Sequence, residues 1–512
     1  MPFWKRTGYF QVNFGNNLVK LYKFYYLKPL LRRHKLIIQK HLFYQYNNQD
    51  MRVRTRIAPS PTGFDLHLGN LYTALINYIW AKKNKGKFIV RIEDTDRQRV
   101  VAGSEERILS TLKQYGLLYD EGPDIGGDYG PYRQSERLAI YKKYALELVK
   151  KGKAYYCFCS KERLGEIRKK MLAEKKIPRY DGHCRSLSQK EIAERLAKNL
   201  PSVIRLKVPP DQKIIVDDLL RGKVSFDSST IDDQVLLKSD GYPTYHLAVV
   251  VDDYLMKITH VIRAEEWLSS TPKHILLYQA FGWQLPIFCH LPILRNPDRS
   301  KLSKRKNPVW ASWYLGQGFL PEAVLNYLAL MGWAHPEEKE IFSLKELMKV
   351  FDLKDIKTVG PAFDLVKLEW MNGEYIRKLK TKDLKLKILE FIEKGYQEKI
   401  VEKTIPLIQE RIKKISDYLP LCQFFFEKPT NYEIDLDDKK LLLEKIYKNL
   451  SSINNWQAAT IGENMVNFAK KEGIKAGDLF MILRVAVTGK TISPPLNESM
   501  EILGKKECLE RI

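Results

Sequence analysis

Cysteine is scarce in this chain, with six residues among 512. That is too few for a disulfide-stapled scaffold, and only Cys157 and Cys159 lie close together, so a reducing compartment is expected. No run of about 18 apolar residues occurs, which argues against a membrane-spanning helix and for a soluble protein. Acids are also in short supply: 61 Asp+Glu stand against 86 Lys+Arg, for a net charge of +25. A surplus of that size points to a polyanionic partner, nucleic acid first, because each phosphate contact releases condensed counterions. A solvated basic surface in a Lys-rich proteome would give the same composition. What is abundant is ordinary for a globular protein, 44% hydrophobic and 29% charged residues, over a length that allows several domains.

Residues 1–50 lack Ser and Ala altogether and hold a single acid, Asp50, against nine Lys/Arg. That surplus of eight leaves +17 for the remainder. The basic, acid-poor composition is that of a mitochondrial transit peptide, yet no small-residue cleavage site accompanies it. Met51 stands directly before an organised strand pattern, so an over-extended gene start or a short lineage-specific extension explains the segment at least as well. The fold argument therefore begins at Met51.

Val53 to Ala58 alternates like a strand, and Pro59-Ser60-Pro61-Thr62-Gly63 breaks it with strong turn formers. From Gly69, Leu71, Ala74, Leu75, Tyr78 and Ile79 fall at helical spacing until Asn84 and Gly86 stop the run before a second strand, Phe88 to Ile92. This β-loop-α-β unit delivers His67-Leu68-Gly69-Asn70 to a helix N-terminus, where free backbone N–H groups are expected to receive a phosphate and Gly69 to allow close approach. Glu93-Asp94-Thr95-Asp96-Arg97 then follows at a strand C-terminus, the end at which open α/β sheets bind ligands.

Arg56-Ile57-Ala58-Pro59-Ser60-Pro61-Thr62-Gly63 followed by His67-Leu68-Gly69-Asn70 resembles the HIGH signature of glutamyl-tRNA synthetases, with Asn70 in place of the second His. Lys301-Leu302-Ser303-Lys304-Arg305 resembles the KMSKS element that class I synthetases carry downstream. The resemblance implies that Arg56, Ala58, Ser60, Glu93, Tyr245 and Arg263 hold glutamate, and that Ser60, His67, Gly69, Asn70, Lys301, Ser303 and Lys304 hold ATP. His67, Lys301 and Lys304 are the expected catalytic residues, the lysines meeting charge that develops on the triphosphate. Two arginines suit a substrate with a side-chain carboxylate, which glutamine lacks. Mg²⁺ is expected with ATP, and no side-chain nucleophile is required.

The expected fold is multidomain. An α/β Rossmann-like catalytic domain is split into 51–132 and 245–300 by an α+β acceptor-binding insertion at 133–244. Residues 301–380 form the KMSKS loop and stem-contact region, and 381–512 an all-α anticodon-binding domain. Within the insertion, Tyr132 to Arg137 should open a helix running toward Gly152, and residues 241–267 should return to a buried apolar strand as the nucleotide fold resumes. Cys157, Cys159 and Cys184, with Tyr180 or His183 as a fourth ligand, would suit a structural Zn²⁺; free buried cysteines are the alternative. In the C-terminal part, Asp383 to Glu393 and Asp437 to Leu450 are amphipathic, and Leu483 to Gly489 and Leu503-Gly504-Lys505 resemble the bacterial-type helical domain. Arg411 is the expected anticodon reader.

The partners implied are L-glutamate, ATP and tRNA(Glu), with no membrane, a monomeric state and a cytoplasmic location, or a mitochondrial one in a eukaryote. A non-discriminating form that also charges tRNA(Gln) and a catalytically silent RNA-binding homologue are the alternatives. The second predicts eroded motifs, whereas His67, Glu93, Arg263 and Lys304 are all present.

Overall fold

The computed structural model describes residues 10–14, 17–21, 52–302, 308–392 and 395–512. The chain divides into two compact units after Arg52. In the first, β1 (Phe10–Phe14) and β2 (Asn17–Leu21) pair antiparallel as a hairpin.

The second unit begins with the β-loop-α-β pattern. β3 (Arg54–Ile57) leads through the loop to the helix Leu68–Lys83, and β4 (Lys87–Val90) returns parallel to β3 in register Arg54 to Lys87. Asn84 caps the helix, Lys82 and Lys83 sit in its last turn where they favour the negative dipole end, and Lys85 takes a left-handed conformation, φ 52°. Gly86 makes the return possible: a Cβ there would lie 2.0 Å from the carbonyl oxygen of Val53. Ten of the helix's residues are buried, which packs it as a covering layer on the sheet.

β3 then meets the strands from later in the chain. Thr259 donates its backbone N–H to the carbonyl of Arg54 at 3.0 Å, and Arg54 donates its own to Thr259 Oγ1. Beyond it, β10 (His260–Ala264) and β11 (Ile287–Leu291) run parallel; β11 touches β7 (Lys213–Asp218) through Phe288 and Asp218, and β8 (Gly222–Asp227) closes the edge antiparallel to β7. The β7-β8 hairpin comes from the stretch expected as the insertion, so part of that stretch joins β10 and β11 in a four-stranded sheet, next to the two-stranded sheet of β3 and β4. A separate antiparallel sheet, β5 (Ala154–Cys157), β6 (Val203–Leu206) and β9 (Val235–Leu237), carries Cys157 at the end of β5. The helix expected from Tyr132 toward Gly152 spans Leu138–Lys150 after a 3-10 turn at Gln134–Arg137.

One element differs from its expectation. The Val249-Val250-Val251 run lies in a helix, Tyr245–Leu255, and the strand follows at His260–Ala264. His246 to Asp253 are buried without a break, so no face is polar and the run carries no period by which a helix and a strand could be told apart. Lys257, at φ 58°, makes the turn into the strand.

After β11 the described residues form no further strand. Helices Thr381–Phe391 and Lys440–Ser451 fall on the two amphipathic stretches. Two apolar cores hold this part together, one around Leu384, Ile388, Val401 and Ile405, the other around Ile446, Ile461, Met465 and Leu483. Among the described residues no helix is long and apolar enough to cross a membrane.

Candidate active site

The C-terminal ends of β3, β4 and β10 open on a cleft of about 1240 Å³. Arg56, Ala58, Ser60, Asn70, Glu93, Tyr245 and Arg263 all line it, so seven of the expected ligand residues come together although they span more than 200 positions of sequence.

Behind this wall lies a buried ionic network. Asp253 binds Arg56 through both carboxylate oxygens, to Nε at 3.1 Å and Nη2 at 3.2 Å, and takes Arg91 Nη1 at 2.8 Å. Arg91, fully buried, also donates to Glu93 Oε1 at 3.1 Å and stands 3.7 Å from Asp252. Asp252 in turn accepts from Arg137 Nε at 2.7 Å, Tyr141 Oη at 2.7 Å and Gln134 Nε2 at 2.9 Å. Three guanidiniums face three carboxylates, so the cluster is neutral. Burial would lower the Arg91 pKa, and Asp253, Asp252 and Glu93 outweigh it. Burial would raise that of Asp253, and Arg56 and Arg91 hold it below the ordinary value. Glu93 is raised, burial outweighing Arg91. Arg91, Arg137, Asp252 and Asp253 were not anticipated. Their signal in the sequence is a lone Arg inside the apolar strand Phe88 to Ile92 and an acid pair closing an apolar run.

Arg263 is in the opposite situation. It is 5% exposed, yet among the described residues no carboxylate lies within ion-pair distance. Its hydrogen-bond partners are neutral: His290 Nε2 at 3.1 Å, Tyr245 Oη at 3.1 Å, Thr271 Oγ1 at 2.9 Å, His274 Nδ1 at 3.3 Å and the Trp267 carbonyl at 3.4 Å. Burial without a direct counter-ion pulls its pKa below the ordinary value. A buried cation on a cleft wall with neutral partners is a site for an anion, since a carboxylate there would be bound and would relieve the desolvation.

The helix N-terminus corrects an expectation. Its backbone N–H groups are not open to a phosphate. Leu68 donates to the Val309 carbonyl, Gly69 to His67 Nδ1 at 3.0 Å, and Asn70 and Leu71 to the His67 carbonyl. A Cβ on Gly69 would approach His67 Nδ1 to 3.3 Å, so the glycine makes room for the imidazole. Nδ1 accepts, which places the ring proton of neutral His67 on Nε2. His67 packs edge-on to Trp310 and, like Gly69, is outside the cleft lining; from this turn it is Asn70, with Thr73, that lines it. Lys301 is exposed and ion-paired with Glu266. Ser303 and Lys304 fall outside the described residues.

The three expected thiols meet: Cys157, Cys159 and Cys184 place their Sγ atoms within 4.8 Å of one another, with the Tyr180 hydroxyl 3.4 Å from Cys157 and 3.5 Å from Cys159. His183 is not in that group. Burial opposes the Cys157 thiolate, but hydrogen bonds from Tyr180, the Cys159 backbone and Arg205 bring its pKa below the ordinary value; burial pushes Cys159 up to about 11. Arg411 is exposed beyond the helix Glu398–Ile408, and its charge adds to burial in lowering the pKa of Arg484.

Mainly parallel strands with a cleft at their C-terminal ends, followed by a helical C-terminal part, fit a class I aminoacyl-tRNA synthetase. Residues 52–370 match the family described as tRNA synthetases class I (E and Q), catalytic domain, and residues 370–512 match the family described as anticodon binding domain. The chain is 47% identical over 478 residues to the glutamate-tRNA ligase of Dehalococcoides mccartyi, covering 90% of this chain and 97% of that one. It is equally 47% identical over 469 residues to the glutamate-tRNA ligase of Thermus thermophilus, covering 90% and 99%. A crystal structure of a glutamate-tRNA ligase from Elizabethkingia meningosepticum in complex with its amino acid superposes with a TM-score of 0.81 at 38% identity, covering 90% of this chain and 98% of that one. The chain belongs to the glutamate-tRNA ligase family of class I synthetases.

Replacing Asp253 by Ala leaves Arg56 and Arg91 facing each other without their shared counter-ion. The expected cost is about 3–5 kcal/mol, read as a lowered midpoint of urea unfolding. A wild-type midpoint would contradict the part assigned to this network.

Proposed function

We infer that the chain activates L-glutamate with ATP and transfers it to the 3′-terminal adenosine of tRNA(Glu), releasing diphosphate and AMP. The observation that carries the choice of amino acid is Arg263, a buried cation whose partners are all neutral, beside the neutralised Arg56. Arg263 has one Nη1–H unspent after its bond to Tyr245 Oη, and the phenol, having accepted, keeps its own proton to donate. These two donors on the cleft wall suit the two oxygens of a glutamate side-chain carboxylate. A glutamine amide would offer one acceptor and no charge.

The α-carboxylate of glutamate attacks the α-phosphorus, and the bond to diphosphate breaks. The 2′-hydroxyl of the terminal adenosine then attacks the carbonyl of the mixed anhydride, and AMP leaves. Ala58, Ser60, Glu93 and Asn70 line the same cleft, the first three as glutamate ligands and Ser60 with Asn70 as ATP ligands. His67 acts from the helix N-terminus through its Nε2–H, and Gly69 admits its ring. Lys301, Ser303 and Lys304 bring the KMSKS element to the triphosphate, Lys301 leaving Glu266 to do so. Mg²⁺ accompanies ATP as counter-ion of its phosphates. The 133–244 stretch takes the acceptor end of the tRNA, residues 301–380 include the stem contact, and 381–512 take the anticodon, with Arg411 as a reader. The enzyme works as a cytoplasmic monomer.

Cys157, Cys159, Cys184 and Tyr180 fit a tetrahedral Zn²⁺ as three sulfurs and one oxygen, and the ion would tie the end of β5 to the 180–184 loop. Purified protein should hold about one equivalent of zinc by elemental analysis. Less than about a tenth of an equivalent would remove the site.

Charging of separate glutamate and glutamine tRNA transcripts with labelled glutamate or glutamine tests the whole reading. The wild type should attach glutamate to tRNA(Glu), Lys304→Ala should lose about 100-fold or more in rate, and Arg411→Gln should relax discrimination against tRNA(Gln). Glutamate on both tRNAs with the wild type would indicate the non-discriminating form. No charging by folded protein would contradict the assignment.

A further inference from the structure

Arg263 is gripped from behind by a chain of buried groups that the reaction itself does not use. The chain starts at Asp218, the last residue of β7. Its Oδ1 accepts from the backbone N–H groups of Leu220 and Arg221, both at 3.1 Å. Its Oδ2 accepts from the backbone N–H of His290 at 3.0 Å and lies 2.6 Å from His290 Nδ1. Four donors on one carboxylate stabilise its ionised form, and its pKa stays low, the His290 contacts and these backbone bonds prevailing over burial. An ionised carboxylate can only accept, so the proton of the His290 ring sits on Nδ1 and Nε2 is bare. That bare nitrogen accepts from Arg263 Nε–H, 3.1 Å away, and faces the Thr271 hydroxyl at the same distance.

We propose that Asp218 and His290 form a positioning relay for Arg263, selecting the His290 tautomer and thereby fixing which guanidinium N–H faces the substrate carboxylate. This rests on the reading of Arg263 as the glutamate ligand. With Nε committed to His290, Nη2 spends its hydrogens on Thr271 Oγ1, His274 Nδ1 and the Trp267 carbonyl. His274 accepts at Nδ1 and so carries its proton on Nε2, which it gives to His246 Nδ1 at 3.1 Å. Both rings stay neutral, burial taking His246 down to about 3 and, with Arg263, taking His274 well below its ordinary value. Only Nη1 keeps a hydrogen for the cleft, beside the Tyr245 hydroxyl. With the other tautomer, His290 Nε2–H would confront Arg263 Nε–H, donor against donor, and the fork would turn away. Because Asp218 belongs to the β7-β8 hairpin, the amino-acid pocket is anchored on a strand that the chain lays down before its second half of the catalytic sheet.

The test is full kinetics of tRNA charging, with KM for glutamate, ATP and tRNA measured separately for His290→Ala, His290→Gln, Asp218→Asn and Arg263→Lys. His290→Ala should raise the glutamate KM about 30-fold while the other two stay within about twofold. Asp218→Asn should do the same, since its amide can donate to Nδ1 and drive the proton to Nε2. His290→Gln, whose Oε1 can accept from Arg263 Nε, should recover to within about fivefold of wild type, which a loss of packing alone would not predict. If His290→Ala leaves the glutamate KM unchanged while Arg263→Lys raises it, the relay is overturned and the pocket stands. If neither moves it, both fall. A parallel rise in all three KM values of His290→Ala, without recovery in His290→Gln, would make His290 a packing residue and overturn the relay.

Discussion

Asp253 sits between two guanidiniums in the interior, and the arrangement of the catalytic half depends on that contact. Its carboxylate ties Arg56 on β3 to Arg91 just after β4, and with Asp252 it fastens the helix Tyr245–Leu255 and Arg137 to the same point. Charges taken this far out of water are tolerated when each is paired and hydrogen-bonded, and removing one partner is far costlier than never having had the pair. The cluster joins two sets of strands, β3 with β4 and β10 with β11, that the chain separates by a long excursion. It also sets the electrostatics of the cleft. Because three cations and three anions cancel, the wall retains Arg263 as a buried positive group without a direct counter-ion.

Much of the frame was legible because it is local. Pro59-Ser60-Pro61-Thr62-Gly63 ends a strand by turn chemistry, Leu71 to Ile79 show a helical period, and Asn84 with Gly86 stop it, so the β-loop-α-β unit follows from neighbours in sequence. The cysteine cluster was readable from residue type and spacing, and the structure brings the thiols and Tyr180 together. What was not legible is long-range. Asp253 meets Arg91 across 162 positions and Arg56 across 197, and no local pattern encodes such a pairing. The Val249 to Val251 run was misread for the related reason that a segment buried on all sides shows no period. The closed helix N-terminus could not be foreseen either, since one of its partners is the Val309 carbonyl, 241 positions further along the chain from Leu68.

The basic surplus and the helical third belong to the same account. A net charge of +25 accords with a polyanionic substrate many times larger than the amino acid. The family matches divide the chain at residue 370, inside the helix Leu365–Arg377, so one continuous helix carries the body into the anticodon-binding part. Asn372 on that helix accepts the Leu320 backbone N–H and donates to the Lys413 carbonyl, which clamps the junction from both sides.

A buried Arg263 without a direct counter-ion should make the cleft selective for a carboxylate side chain. Calorimetric titration of the protein with non-hydrolysable sulfamoyl analogues of glutamyl-adenylate and glutaminyl-adenylate tests it without tRNA or turnover. The glutamyl analogue should bind at least about 100-fold more tightly, a difference of about 2.7 kcal/mol. Affinities equal to within about threefold would contradict it.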